Sequence, residues 1–334
     1  MATRAVAVLG AGAWGTALAC VLAEAGQPVW LWGRDEAQRR QLRSLRENRR
    51  YLPGIPLPPG IEILDDLHGL PVDCRWAVLA TPCQTTRSIA KRLREAAPGV
   101  SGIVCAAKGL EAGSRQLVHE VAAEALGPDV SVALLSGPTF AREVAEGRPA
   151  AVTVACDDEG FGRALVARFH TPSFRPYFTS DRVGVAVGGS VKNVLAIAAG
   201  VADGLQLGAN SRAALITRGL AEVARFGVAL GARRETFMGL SGLGDLVLTC
   251  TDDQSRNRRL GLALGAGEAR GPAETRIGLV EGASTAAAVS AEASRLGVEM
   301  PIVGEVSALL EGERTPREVV ARLMSREPGA EDEG

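Results

Sequence analysis

Lysine is nearly absent: of 37 basic residues only Lys91, Lys108 and Lys192 are lysine, and the other 34 are arginine. A guanidinium stays protonated at any ordinary pH, whereas an ammonium can be tuned to release its proton. Each lysine is therefore a candidate for chemistry that the arginines cannot perform. Histidine is equally scarce, and His68, His119 and His170 lie beside no glycine-rich turn and no spaced acidic partner. They read as surface or packing residues, which excludes a His–Asp proton relay. The six cysteines are widely separated, with no CxxC pair and no histidine at ligand spacing, so no metal centre is expected and the thiols read as buried and reduced. Excess charge is missing too. A net charge of −1 and a pI near 6.4 exclude a general field for nucleic acid or an anionic membrane. The first residues lack the charged n-region and small-residue cleavage site of a signal peptide, and no later apolar run reads as long and uninterrupted enough to span a bilayer. A cytoplasmic protein is expected.

What is present is enough apolar material, 46% of 334 residues, for two globular units. Through about residue 155 short apolar runs alternate with polar, helix-like stretches, the rhythm of a βαβ sheet. Strands are expected at 5–9, 29–32, 76–80, 103–106, 132–135 and 151–155, with helices at 16–25, 36–47, 85–97 and 117–126. Past residue 181 apolar residues recur every three or four positions and strand-like runs vanish. Helices are expected at 185–201, 211–229, 244–249, 256–264, 284–296, 301–310 and 316–324. The chain is thus read as α/β: a doubly wound dinucleotide-binding domain over 1–181, a helical substrate domain over 182–325, and a disordered acidic tail over 326–334.

The first strand runs into Gly10-Ala11-Gly12-Ala13-Trp14-Gly15 and then a helix. In that setting Gly10 makes the tight turn, Gly12 admits a pyrophosphate to the backbone and Gly15 lets helix and strand pack closely, while the helix N-terminus favours the phosphate charge. The second strand ends Trp32-Gly33-Arg34-Asp35. Arg34 stands where a cation meets a 2′-phosphate, and Asp35 is one position late for a ribose hydroxyl, so both NADP and NAD stay open.

Lys108 follows the apolar run 103–107, at the carboxyl end of a strand, the edge where open α/β sheets bind ligands. Lys192 lies in an otherwise small and apolar helix. A charge there either snorkels outward or sits in a cleft whose dryness lowers its pKa towards the range useful for acid–base work. Lys91, on a polar helix, reads as surface. Ser255-Arg256-Asn257 opens a helix after a polar loop, so free N–H groups and the arginine fork suit a phosphate dianion; an ordinary Ser N-cap followed by solvated arginines is the alternative.

These residues carry a resemblance. The glycine turn, Ala107-Lys108-Gly109-Leu110-Glu111, Ser136-Gly137-Pro138-Thr139-Phe140-Ala141, Gly188-Gly189-Ser190-Val191-Lys192-Asn193, the stretch 214–222 ending in Glu222, Gly242-Leu243-Gly244-Asp245 and Val280-Glu281-Gly282 are together similar to the bacterial NAD(P)-dependent glycerol-3-phosphate dehydrogenase family. The likeness runs through nearly the whole chain in order. It implies reversible hydride transfer between NAD(P)H and dihydroxyacetone phosphate, giving sn-glycerol 3-phosphate for phospholipid synthesis. Lys192 would be the proton acceptor in the oxidation, with Lys108 and Asp245 beside it. Lys108, Gly137, Thr139, Lys192, Asp245, Ser255, Arg256 and Asn257 would bind substrate. Gly10, Gly12, Ala13, Trp14, Gly15, Arg34, Lys108, Ala141, Arg256 and Glu281 would contact the cofactor. Ala13 replaces a common Ser, and Ser284 stands where many members carry Arg. The rival readings are another two-domain β-hydroxyacid dehydrogenase and a dinucleotide sensor without turnover. The Ala- and Gly-rich helices of the second domain are expected to offer a homodimer surface.

Overall fold

Eight short strands build one sheet in a computed structural model that describes residues 5–327. They are β1 (Val6–Leu9), β2 (Val29–Trp32), β3 (Ile61–Ile63), β4 (Trp76–Leu79), β5 (Gly102–Cys105), β6 (Ser131–Ser136), β7 (Ala150–Ala155) and β8 (Phe174–Thr179). The sheet order is β3-β2-β1-β4-β5-β6-β7-β8. Pairing is parallel throughout except between β6 and β7. The first six strands thus carry the doubly wound order, whose direction reverses between β1 and β4, the point where such sheets admit a ligand at their carboxyl ends. Every residue of β1, β4 and β5 is buried, which is why these strands are continuous apolar runs and not alternating ones.

Helices α1 (Ala13–Glu24), α2 (Glu36–Leu45), α3 (Thr86–Ala96), α4 (Val118–Leu126), α5 (Ala141–Ala145) and α6 (Glu159–Phe169) connect the strands. Two strands escaped the sequence reading for physical reasons. β3 is only three residues long, and β8 contains Pro176, which a sheet tolerates at its edge, where β8 lies.

The second unit is helical: α7 (Arg182–Gly204), α8 (Gly208–Ala229), α9 (Asp245–Thr251), α10 (Arg256–Gly265), α11 (Arg270–Ile277), α12 (Glu281–Leu296), α13 (Pro301–Leu310) and α14 (Pro316–Met324). The unexpected α11 carries Gly271-Pro272 in its first turn, where proline removes no helical hydrogen bond. α7 is the centre of this unit. By length and apolarity it would cross a membrane, contrary to the sequence expectation that no run would, but its whole apolar window is buried inside the protein.

The two units are not contiguous in sequence. Residues 108–117 belong with the helical unit, while the first unit comprises residues up to 107 together with 118–182. The expected division at 181/182 did not foresee this excursion. It arises because the turn after β5 carries the chain onto α7, where the Gly109 N–H donates to Ser190 Oγ at 2.9 Å. The expected acidic tail lies outside the described residues from position 328 onward.

Candidate active site

In the first unit the three glycines of the turn do different things. Gly10 has φ +122, and a Cβ there would meet Ala80 O at 2.5 Å. A Cβ on Gly15 would sit 1.8 Å from Gly10 O, whereas one on Gly12 would meet nothing within 4 Å. Turn and packing therefore require two of the glycines, and the third faces open space. Gly12 gives α1 no side-chain cap, so first-turn N–H groups of that helix remain available to an anion. Trp14 Nε1 and Thr81 Oγ1 are buried with no protein partner. Such unmatched donors, an uncapped helix and an open Gly12 fit a dinucleotide phosphate. The turn is braced by side chains that sequence reasoning did not single out. Gln38 Nε2 and Asn48 Nδ2 both donate to Ala11 O, at 2.5 and 3.0 Å, and Asn48 also reaches Thr16 Oγ1 at 2.7 Å.

Ala13 is the first residue of α1. Arg34 is exposed beyond β2. Asp35 caps α2 by accepting from Gln38 N at 3.2 Å and pairs with Arg50 at 3.1 Å, contacts that hold its carboxyl below the usual range, the helix-capping N–H first. Gly137 has φ +159 and lies against Val152; Thr139 Oγ1 donates to Gly137 O at 3.3 Å, and Ala141 begins α5.

In the second unit α7 approaches its neighbours through glycines. A Cβ on Gly188 would lie 2.4 Å from Ser241 O, and one on Gly200 2.1 Å from Arg258 O. This brings Lys192 to the start of α9. Its ammonium donates to Asp245 Oδ1 and, at 2.7 Å, to Thr249 Oγ1. Lys108 Nζ donates to the other carboxylate oxygen, Oδ2, at 2.6 Å. Asp245 is wholly buried and Lys192 is 7% exposed. Two ammonium groups thus share one carboxylate in a dry site. Burial pushes the Lys192 pKa down to about 8; Asp245 opposes that shift and Lys108 adds to it. Thr249, unassigned in the sequence reading, sits one helical turn after Asp245 and donates to its carbonyl at 2.6 Å, a spacing that could have flagged it.

Ser255 caps α10 by accepting from Arg258 N at 3.2 Å, the bland alternative of the sequence reading, and its hydroxyl proton stays free for a ligand. Arg256 is exposed and pairs with no carboxylate among the described residues. Asn257 is a junction: its Nδ2 donates to Asn193 Oδ1 at 3.0 Å, and its Oδ1 accepts from Gly282 N at 2.9 Å. A Cβ on Gly282 would lie 2.7 Å from Asn193 O and from Asn257 Oδ1, so only glycine lets the start of α12, with Glu281, come this close. Lys108, Lys192, Asp245, Asn257 and the Glu281–Gly282 turn are therefore linked in one unit. Ser284 faces solvent and donates back to Glu281 O at 3.1 Å.

The histidines stay outside this arrangement. His119 is packed in the first unit, with burial lowering its pKa to about 4, and His68 is exposed beside Asp66. All six cysteines are buried and none is in a disulfide, and among the described residues no cluster of acidic, His and Cys side chains could hold a metal.

Two family models match. The N-terminal part of NAD-dependent glycerol-3-phosphate dehydrogenase covers residues 5–162, and its C-terminal part covers 181–321. The chain belongs to this family. Relatives named glycerol-3-phosphate dehydrogenase (NAD(P)+) agree: that of Stenotrophomonas maltophilia strain R551-3 is 50% identical over 323 residues, 96% of this chain and 95% of the relative. That of Xanthomonas oryzae pv. oryzae strain MAFF 311018 is 48% identical over 326 residues, 97% and 96% of the two chains. The crystal structure of glycerol-3-phosphate dehydrogenase from Coxiella burnetii superposes with a TM-score of 0.93 at 42% identity, covering 97% of this chain and 99% of that one. D-mandelate dehydrogenase, 13% identical with a TM-score of 0.61, shares the fold alone.

Proposed function

We propose that this family member interconverts dihydroxyacetone phosphate and sn-glycerol 3-phosphate with NAD(P)H, with Lys192 as the proton-transferring group. The observation that carries the reading is the buried Lys108–Asp245–Lys192 arrangement. The bound nicotinamide supplies the hydride in reduction and takes it in oxidation. Lys192 gives its proton to the oxygen developing on C2, and in the reverse direction its neutral amine accepts that proton. Lys108 stabilises the same oxygen by its charge, and Asp245 holds both ammonium groups in place without neutralising them fully. Arg256, with the Ser255 hydroxyl and the first-turn N–H groups of α10 that the Ser255 cap does not take, anchors the phosphate and so orients C2. Gly137 and Thr139 serve the substrate as well. Gly10, Gly12, Ala13, Trp14, Gly15, Arg34, Lys108, Ala141, Arg256 and Glu281 serve the cofactor.

An exposed Arg34 and an Asp35 engaged in capping favour NADP over NAD, because the carboxylate that would hold a ribose 2′-hydroxyl is turned to its own helix. Six buried thiols, none in a disulfide, support a cytoplasmic enzyme of glycerophospholipid synthesis. A homodimer through the small-residue helices belongs to the same reading and is checked by sedimentation.

The decisive assay follows absorbance at 340 nm with dihydroxyacetone phosphate and with 3-hydroxy acids, each with NADP(H) and NAD(H). Turnover only with 3-hydroxy acids would support the carboxylate-dehydrogenase rival, and cofactor binding without turnover the sensor. A pH series adds a check with a definite sign. Oxidation needs neutral Lys192 and should rise through pH about 8, whereas reduction needs the ammonium and should fall there.

A further inference from the structure

Lys108 is delivered to Asp245 by a short segment, residues 108–117, that belongs to the helical unit. A long side chain on such a segment reaches a fixed partner only if its backbone is held. The hold nearest to Lys108 is the Gly109 N–H, which donates to Ser190 Oγ at 2.9 Å in a fully buried position. Ser190 is set up to accept. Its single hydroxyl hydrogen goes back along α7 to Ala186 O at 2.6 Å, leaving an oxygen lone pair for Gly109. Gly109 itself has φ +133, a conformation that side chains disfavour, so the residue after the lysine is the one able to make this turn. Farther along, the segment closes on itself through Arg115 N to Glu111 O at 2.7 Å and meets α12 through Arg115 and Glu292 at 3.7 Å. Ser190 and Lys192 are two residues apart and leave the helix on different faces, so Ser190 acts on the backbone of the Lys108 turn.

We propose that Ser190 is a positioning residue of the acid–base site: by accepting the Gly109 N–H it keeps Lys108 on Asp245, so that the carboxylate is shared between two lysines. This rests on the reading of Lys192 as the proton-transferring group. The groups recorded facing Lys192 are Asp245 and Cys250 on α9 and Lys108 on the segment. Burial holds the Cys250 thiol up at about 12, so it stays neutral through the useful range. If Lys108 drifts away, Lys192 loses a repelling neighbour and gains an unshared carboxylate. Both changes raise its proton affinity.

The test is the pH dependence of kcat/KM for glycerol 3-phosphate oxidation in wild type, Ser190→Ala, Lys108→Met and the double variant. Ser190→Ala should lower kcat on the order of tenfold and move the ascending limb to higher pH by about half a unit to one unit. The double variant should match Lys108→Met alone, because the serine acts only through that lysine. A Ser190→Ala enzyme with the wild-type limb, or a double variant shifted well beyond Lys108→Met, overturns the proposal. Should Ser190→Ala fail to fold, Ser190→Cys, a weaker acceptor of similar shape, reads the same shift. Near-normal turnover in Lys192→Ala would instead remove the underlying functional reading, an outcome distinct from failure of the serine's role.

Discussion

The two units handle buried polar groups in opposite ways. Among the described residues, the seven buried side-chain nitrogen and oxygen atoms without a hydrogen-bond partner, Trp14 Nε1, Thr81 Oγ1 and Ser136 Oγ among them, lie in the first unit. In the second, the buried charges are matched: Lys192 and Lys108 with Asp245, Arg258 with Asp203 at 2.6 Å, and Glu222 with the N–H groups of Ile302 and Val303 at 2.7 and 3.3 Å. A unit that receives a long ligand can leave donors open and let main chain and helix ends do the binding. A unit that moves protons must keep its ions partnered, because a buried ion left alone is costly, and the pairing tunes the pKa.

The strongest way to break this division is Lys192→Ala. It should lower kcat by about 10²–10⁴-fold while cofactor affinity, read by fluorescence titration, stays put; loss of cofactor binding instead would erase the contrast. Next comes a pair of glycine changes within one turn. Gly15→Ala, whose Cβ would sit 1.8 Å from Gly10 O, should destabilise the first unit by about 1–3 kcal/mol or more in denaturant unfolding. Gly12→Ala should fold normally and bind cofactor about tenfold more weakly, about 1.4 kcal/mol. Equal effects at both positions would contradict the different surroundings of the two glycines. Arg34→Ala should weaken NADP several-fold and leave NAD unchanged, as isothermal titration can measure. The smallest effect on activity concerns Glu222, whose pKa burial raises to about 7. A carboxyl with a raised folded-state pKa adds stability below its unfolded value of 4.5, and that contribution is lost as pH rises through about 7. Glu222→Gln should flatten the fall in stability from pH 5 to 8, a change of up to about 3 kcal/mol.

Much of the first unit was legible because its signals are local. The runs at β1, β2 and β4 and the glycine spacing at 10, 12 and 15 all act within a few residues, whereas the capping role of Asp35 went unread. β8 was not legible because a proline argues against a strand unless that strand is known to lie at an edge. In the second unit helix positions could be read from periodicity, and Lys192 stood out on α7 as a charge without a polar face. Its partner Asp245 came only through the family resemblance and from no local pattern, because it lies 53 residues from Lys192 and 137 from Lys108. Likewise Ser255-Arg256-Asn257 read as one phosphate cluster, yet Asn257 joins Asn193 to Gly282 and Ser255 caps its helix.

By itself, then, the sequence determined the αβ rhythm, the glycine turn and the presence of two exceptional lysines, since each depends on backbone conformation or residue chemistry that neighbours in the chain dictate. Only the tertiary structure decided that residues 108–117 join the helical unit, that both lysines share one buried carboxylate, and that burial draws the Lys192 pKa downward. Those outcomes depend on which surfaces meet and exclude water, and distances along the chain carry no record of that.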